Sequence, residues 1–367
     1  MSTEPDPTDL TGLSDTVRAR GGELRAGGTD TGARQRSGLS TGPFTDLDGA
    51  ADLHGTTVLP DGGLRIGALT TLAALAADPQ VRADWPALAL SAGTAATPQI
   101  RAAGTLGGNL LQRNRCWYFR NPHVSCLQKG GAGCPAREGD HHFGVVSGAG
   151  PCITPHPSTL AMALLTYDAE AEIHDEPPRS VADLYGDGDR LHQADHLLPP
   201  HRILTAVRLP APLPGERAAC HRATSRAYAE WPLVEATARL AFDGATVTHV
   251  AVAAGGVARV PLRLPEVEAA LIGREATAGA LAAAAETVLS RCRPLPQTGY
   301  KTTLFRDTVL EVLEQAVGAG AAPRPRPPPQ QPPPAPAPLF LEDNPPKIPP
   351  PPPHPEQTPR PPPPPRA

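Results

Sequence analysis

No apolar run of about 18 residues or more occurs in this 367-residue chain, which excludes a membrane-spanning helix. The first residues, Met1-Ser-Thr-Glu-Pro-Asp-Pro7, are polar and acidic. They lack the basic start and apolar stretch of a secretion signal, so a cytoplasmic protein is expected unless an exported partner carries it to the periplasm. Aromatic residues make up only 4% while Ala, Gly and Arg abound, a pattern of GC-rich coding rather than of mechanism. The formal net charge of −4 excludes a general nucleic-acid-binding field. No nucleophile or acid–base arrangement for substrate chemistry is evident.

Cysteine is scarce too, but its distribution is uneven. Of six cysteines, four fall within 37 residues: Cys116, Cys126, Cys134 and Cys152. Cys220 and Cys292 stand far away and alone. The spacing C-x9-C-x7-C-x17-C is neither the C-x2-C of zinc ribbons nor a ferredoxin run, and it leaves the metal open. A reducing compartment disfavours structural disulfides. Metal ligation is the leading reading, with buried free thiols as the alternative. Just upstream, Thr105-Leu-Gly-Gly-Asn109 reads as a glycine turn able to hold a phosphate. Together the two features point to an iron–sulfur cluster beside a nucleotide cofactor, hence to electron transfer. His141 and His142 lie near the cysteines and are expected to be solvated loop residues.

About half of the 48 prolines follow Ala321, which leaves a folded part of roughly 320 residues, room for two or three domains. The pattern predicts a short helix over 12–20 and a strand over 23–26. That strand runs into Gly27-Gly28-Thr29-Asp30, whose backbone can aim several N–H groups at one anion. A strand over 63–68 follows a turn at 60–63. Thr70 and Thr71 offer an N-cap for a helix to about 77, and a further helix covers about 85–95. Residues 113–151 show no periodicity, and a loop of that length is usually functional. Residues 160–165 form a buried helix or strand. Strands are expected over 171–173 and 203–209, and a linker over 210–215. Beyond it, 234–242 and 245–253 read as a hairpin around Asp243-Gly244, followed by helices near 265–272, 277–291 and 302–317. This second half predicts helices on an antiparallel sheet. The tail from 321 is expected to be disordered or semi-rigid, a solvated appendage more than a docking sequence.

Three stretches carry a resemblance. Thr97 to Cys116, with Thr-Leu-Gly-Gly-Asn at its centre, resembles the FAD-binding medium subunit of xanthine dehydrogenase-type molybdenum hydroxylases. Ala26-Gly-Gly-Thr-Asp30 is similar to that family's first FAD loop, and Cys152-Ile-Thr-Pro-His-Pro-Ser-Thr-Leu160 to its next one. Gly255-Gly-Val-Ala258 and Gly299-Tyr-Lys301 are similar to motifs of its C-terminal domain. The match spans about residues 20–318. The four-cysteine insertion resembles the branch with an extra [4Fe–4S] cluster, that of periplasmic aldehyde oxidoreductases and 4-hydroxybenzoyl-CoA reductases.

The resemblance implies an α+β fold: a two-part, PCMH-type FAD-binding domain over 1–209 with a [4Fe–4S] insertion at about 113–152. A smaller α+β domain like the CO dehydrogenase flavoprotein C-terminal domain follows over 216–320, and then the tail, 321–367. It implies FAD and a [4Fe–4S] cluster held by Cys116, Cys126, Cys134 and Cys152. The FAD contacts it implies are Glu23, Leu24, Arg25, Ala26, Gly27, Gly28, Thr29, Asp30, Thr31, Thr105, Gly108, Asn109, Thr159, Ile203 and Arg222. Thr159 stands where the family often has Asp, which keeps a hydrogen-bonding group and loses the charge. The implied partners are a large molybdenum-cofactor subunit and a small subunit with two [2Fe–2S] clusters. The chain then passes electrons to an external acceptor. The alternatives are a stand-alone FAD oxidoreductase and a zinc-binding structural assembly subunit.

Overall fold

The computed structural model describes residues 8–148, 150–188, 193–227 and 229–319. The proline-rich tail lies outside the described residues. Asp9 caps the first helix, α1 (Leu10–Arg20), by accepting from the Gly12 amide, and Leu13 and Val17, one turn apart, are buried. Strand β1 (Glu23–Arg25) pairs in parallel with β2 (Phe44–Asp46), and α2 (Thr31–Arg36) lies between them in sequence.

Five further strands follow: β3 (Thr56–Val58), β4 (Leu64–Gly67), β5 (Glu170–Ile173), β6 (Arg179–Ser180) and β7 (Leu204–Leu209). They form one sheet in the order β3-β4-β7-β5-β6, with every neighbouring pair antiparallel. The helices between β4 and β5 are short because their caps come quickly. Thr71 caps α3 (Leu72–Ala77), and prolines open α4 (Pro79–Asp84), α5 (Pro86–Thr94) and α6 (Pro98–Ala103). The stretch read as a glycine turn is instead a short helix, α7 (Leu106–Leu110). Thr105 is its N-cap and accepts from the Gly108 amide through Oγ1. That satisfied amide pulls the two glycines into a helical turn despite their low helix propensity.

The described residues of 113–151 are irregular, as their aperiodic sequence predicts, apart from α8 (Trp117–Arg120) and two single-turn 3-10 segments. Ser158 then caps α9 (Thr159–Thr166), which is buried along its whole length. It packs against α5 on one side and the second sheet on the other.

That second sheet comprises β8 (Arg217–Ala223), β9 (Val234–Asp243), β10 (Thr246–Gly255) and β11 (Leu262–Arg263), in the order β11-β10-β9-β8, all antiparallel. The β9–β10 hairpin matches the expectation, whereas β8 is absent from it. Residues 234–241 of β9 are buried without alternation, because α9 covers one face and α12 (Tyr300–Gly318) the other. Helices α10 (Pro265–Leu271) and α11 (Ala278–Glu286) complete this core with Leu271, Leu281, Phe305 and Val312. The architecture is α+β, with an antiparallel C-terminal sheet.

Candidate cofactor-binding site

Three cavities run side by side along the connections between these elements. The first, of about 780 Å³, is lined by Glu23, Leu24, Ala26, Gly27, Gly28, Thr29, Asp30 and Thr31, together with Thr105 and Gly108. The second, of about 380 Å³, shares Thr29, Asp30, Thr105, Gly108 and Gln112 with it and adds Asn109, Thr159 and Arg222. The third, of about 490 Å³, shares Arg115, Glu230 and Trp231 with the second. Arg25 and Ile203 line none of them. Arg25 turns away to form two hydrogen bonds with Asp46, and Ile203 is buried beside Leu13, Leu47 and Leu53.

The first loop is shaped by close backbone approach. A Cβ at Gly27 would stand 1.7 Å from the Ala103 carbonyl oxygen, so only glycine lets the loop touch the end of α6. A Cβ at Gly28 would meet only ordinary contacts, with the Ala26 carbonyl oxygen and Arg25 Cδ at 4.0 Å, but the residue sits at φ +68°, in the left-handed region that favours glycine. Asp30, which follows, is a cation hub. Its carboxylate accepts from Arg34 Nε at 3.1 Å, Arg115 Nη1 at 2.5 Å, Arg120 Nη2 at 2.8 Å and the Arg113 amide at 3.1 Å. Burial works against its ionisation, but Arg115 and Arg120 outweigh it and hold the carboxyl down at about 2. Arg34 also bridges to Glu23, which ties β1 to α2.

On the second cavity, Asn109 Oδ1 accepts from Ser158 Oγ at 2.7 Å and so joins α7 to the start of α9. Thr159 Oγ1 donates to Glu235 at 3.0 Å, and Arg222 Nε pairs with the same carboxylate at 3.4 Å. Arg222 is buried, not solvent-facing, and it also donates to the Thr94 and Glu230 carbonyls. Burial pushes the Glu235 carboxyl up, and Arg222 and Thr159 offset this only in part.

Three of the four clustered cysteines, Cys116, Cys134 and Cys152, line the third cavity. Cys116 stands at the start of α8. Its thiol is pushed up by burial, the Phe119 and Tyr118 amides pull it back, and the nearby Cys152 and Cys134 add to the rise. Gln128 Nε2 donates to Cys152 Sγ at 3.6 Å. Cys126 is buried two residues before Gln128 but does not line the cavity. Among the described residues no group of three or more His, Cys, Asp or Glu converges on a single-ion site. His141 is buried, contrary to the solvated loop residue expected. Its Nδ1 lies within hydrogen-bond distance of the Ala136 and Gly139 carbonyls, and its Nε2 accepts from the Gln297 amide, a contact 156 residues away that no local pattern announces. His142 stacks on Tyr300.

Two family patterns cover this arrangement. The FAD binding domain of molybdopterin dehydrogenases matches residues 7–212, and the CO dehydrogenase flavoprotein C-terminal domain matches residues 219–317. The chain belongs to the FAD-binding medium subunits of the xanthine dehydrogenase family. It is 33% identical over 306 residues to the aldehyde oxidoreductase FAD-binding subunit PaoB of Escherichia coli (strain K12), which covers 82% of this chain and 92% of that one. The carbon monoxide dehydrogenase medium chain of Hydrogenophaga pseudoflava is 26% identical over 255 residues, 68% of this chain and 74% of that one. A solved carbon monoxide dehydrogenase from the same organism, lacking the Mo-pyranopterin moiety of its cofactor, superposes with a TM-score of 0.66 at 21% identity, covering 86% of this chain and 96% of that one. That likeness shows the shared fold.

Members of this family are oxidoreductase subunits. Among the described residues of this medium subunit, no helix is long and apolar enough to cross a membrane.

Sequence reasoning missed the group that holds the medium subunit's cysteine loop in place. Asp195, fully buried, accepts from Arg113 Nε at 2.8 Å, the Asn114 amide at 3.0 Å and Arg259 Nη1 at 2.8 Å. Burial opposes its charge, yet Arg259 and Arg113 hold its carboxyl far below the usual range. The root of the loop, the 193–198 segment and the turn after β10 meet at this one carboxylate.

Proposed function

We propose that this medium subunit is the FAD-containing electron-transfer chain of a three-chain molybdenum hydroxylase, with a large molybdenum-cofactor subunit and a small two-[2Fe–2S] subunit as partners. One observation carries the reading: the glycine-loop cavity and the cysteine-lined cavity flank a middle cavity that shares wall residues with each of them. Such a row of spaces suits an extended dinucleotide with a second redox group at its end. The glycine loop 26–31 cradles the pyrophosphate through backbone amides, Thr105 adds a contact, and Gly27 makes the close approach possible. Asn109, Thr159 and Arg222 orient the part of the cofactor in the middle cavity, and the buried Glu235 fixes two of these side chains. FAD supplies one- or two-electron exchange. The protein holds it and orients it.

Cys116, Cys126, Cys134 and Cys152 hold one [4Fe–4S] cluster in this reading. Three of the thiols surround one cavity without converging on a point. The chain works in the cytoplasm, or is exported together with a signal-bearing partner.

The visible spectrum of the purified chain is the first test. Flavin bands over a broad iron–sulfur shoulder are expected, and co-expression with neighbouring genes should yield a three-chain complex. Replacing Cys126→Ser should remove about four irons per chain and leave the partner's [2Fe–2S] signals intact. A colourless zinc protein, or complete aldehyde-oxidising turnover by this chain alone, would refute the proposal.

A further inference from the structure

Lys301 stands in the first turn of α12 with only 1% of its surface exposed. Its Nζ donates to the Gly256 carbonyl at 2.9 Å and the Phe143 carbonyl at 3.2 Å. Among the described residues no carboxylate pairs with it. The acids on the same cavity wall are committed elsewhere. Glu235 serves Arg222 and Thr159, Asp140 accepts from the His142 amide, and Glu230 accepts from Ser225 and the Arg226 amide. A buried ammonium without an anion is unfavourable, and chains normally pair such a charge or lose it. Burial alone pushes this one down to about 7.

The wall that Lys301 shares carries Cys116, Cys134 and Cys152. The connection is short: Phe143, whose carbonyl holds the ammonium, lies two residues before Val145. The Val145 amide donates to the carbonyl of Ile153, next to Cys152. Phe143 also stacks on Trp117, the neighbour of Cys116. Two other cations stand on this wall, but each has a carboxylate of its own: Arg115 pairs with Asp30, and the exposed Arg226 with Glu230. Lys301, which no carboxylate pairs, therefore faces one space with the three thiols.

We infer that Lys301 supplies the positive charge that balances an anionic iron–sulfur cluster in this cavity and thereby sets the cluster's reduction potential. The inference rests on the cluster reading above. Net charge near a cluster is one of the terms that fixes its potential, and reduction adds negative charge, so a neighbouring cation favours the reduced state. The two carbonyls serve to aim the ammonium.

The test uses the full chain in its complex, with Lys301→Met and Lys301→Arg. Iron and sulfide analysis, an EPR-monitored redox titration of the cluster and a visible titration of the flavin are run on each sample. Lys301→Met should keep its iron and shift the cluster midpoint to lower potential, Lys301→Arg should restore most of the shift, and the flavin midpoint should not move. Should Lys301→Met fail to fold, Lys301→Gln, which keeps a donor for the carbonyls, carries the same comparison. Full iron with an unmoved cluster midpoint overturns the inference while leaving the cluster in place. A shift confined to the flavin also overturns it, by assigning the charge to the other cofactor. A parent protein without iron removes the cluster reading and this inference with it.

Discussion

The Arg115 guanidinium lies over the Trp231 ring, 4.6 Å from its centroid, and the two residues together form wall common to the middle and cysteine-lined cavities. The same guanidinium reaches Asp30 in the first loop. One side chain thus links the glycine loop, the approach to Cys116 and the segment before β9.

This link predicts energetic coupling between positions that are 116 residues apart in number. In a double-mutant cycle of Arg115→Ala and Trp231→Ala, a coupling of about 0.5–1 kcal/mol is expected from the cation–π contact. Urea unfolding of the parent, both single variants and the double variant measures it. Strict additivity would show that the stacking contributes nothing.

The two glycines of the first loop should fail for different reasons. Gly27→Val drives a side chain into the Ala103 carbonyl and should abolish FAD retention. Gly28→Val should also fail, through strain at φ +68°, whereas Gly28→Asn, which tolerates that region, should keep most of its flavin. Flavin released per chain on denaturation gives the comparison. Full flavin in Gly27→Val would refute the loop assignment.

Asp195→Ala leaves Arg113 and Arg259 without their shared anion. A loss of about 3–5 kcal/mol in unfolding free energy is expected for breaking a buried pair from one side. The urea midpoint reads it. Loosening the root of the cysteine loop should also lower iron content, so an unchanged midpoint with unchanged iron would contradict the role given to this carboxylate.

Acid should destabilise the protein before its carboxylates titrate. Burial pushes His156 down to about 3 and His196 down to about 4, whereas an unfolded-chain histidine titrates near 6.5. Between those values the unfolded chain binds protons that the folded chain refuses. The stability present above about 6.5 is therefore lost as pH falls, by about 1–2 kcal/mol for each histidine at pH 5. Asp30, held at about 2, adds its own loss only below about pH 4. Urea midpoints at pH 7 and pH 5 test this, and His156→Phe should flatten part of the slope. Equal midpoints would rule out buried neutral histidines.

The sequence made the local elements legible where capping and periodicity were strong. Thr71 and Asp243-Gly244 place a helix start and a hairpin as expected, whereas 160–165, left open between helix and strand, becomes a helix behind the Ser158 cap. It misread 105–109 as a turn, because two adjacent glycines lower helix propensity and only the Thr105 cap reverses it. It missed β8, because Arg217–Ala223 mixes small and polar residues and becomes a strand by pairing with β9.

By itself, the sequence determined the first glycine loop, the cysteine spacing, the switch to an antiparallel C-terminal half and the family. Each depends on residues close together in the chain, where backbone sterics and hydrogen bonding leave a readable pattern. Tertiary structure alone decided what faces what. Asp195 meets Arg113 across 82 residues, and Lys301 meets Phe143 across 158. Arg25 turns out to Asp46, and Ile203 goes into a core rather than onto a cavity wall. Polar contact at such separations is set by how the two sheets and α9 pack, and packing leaves no periodic mark on the sequence.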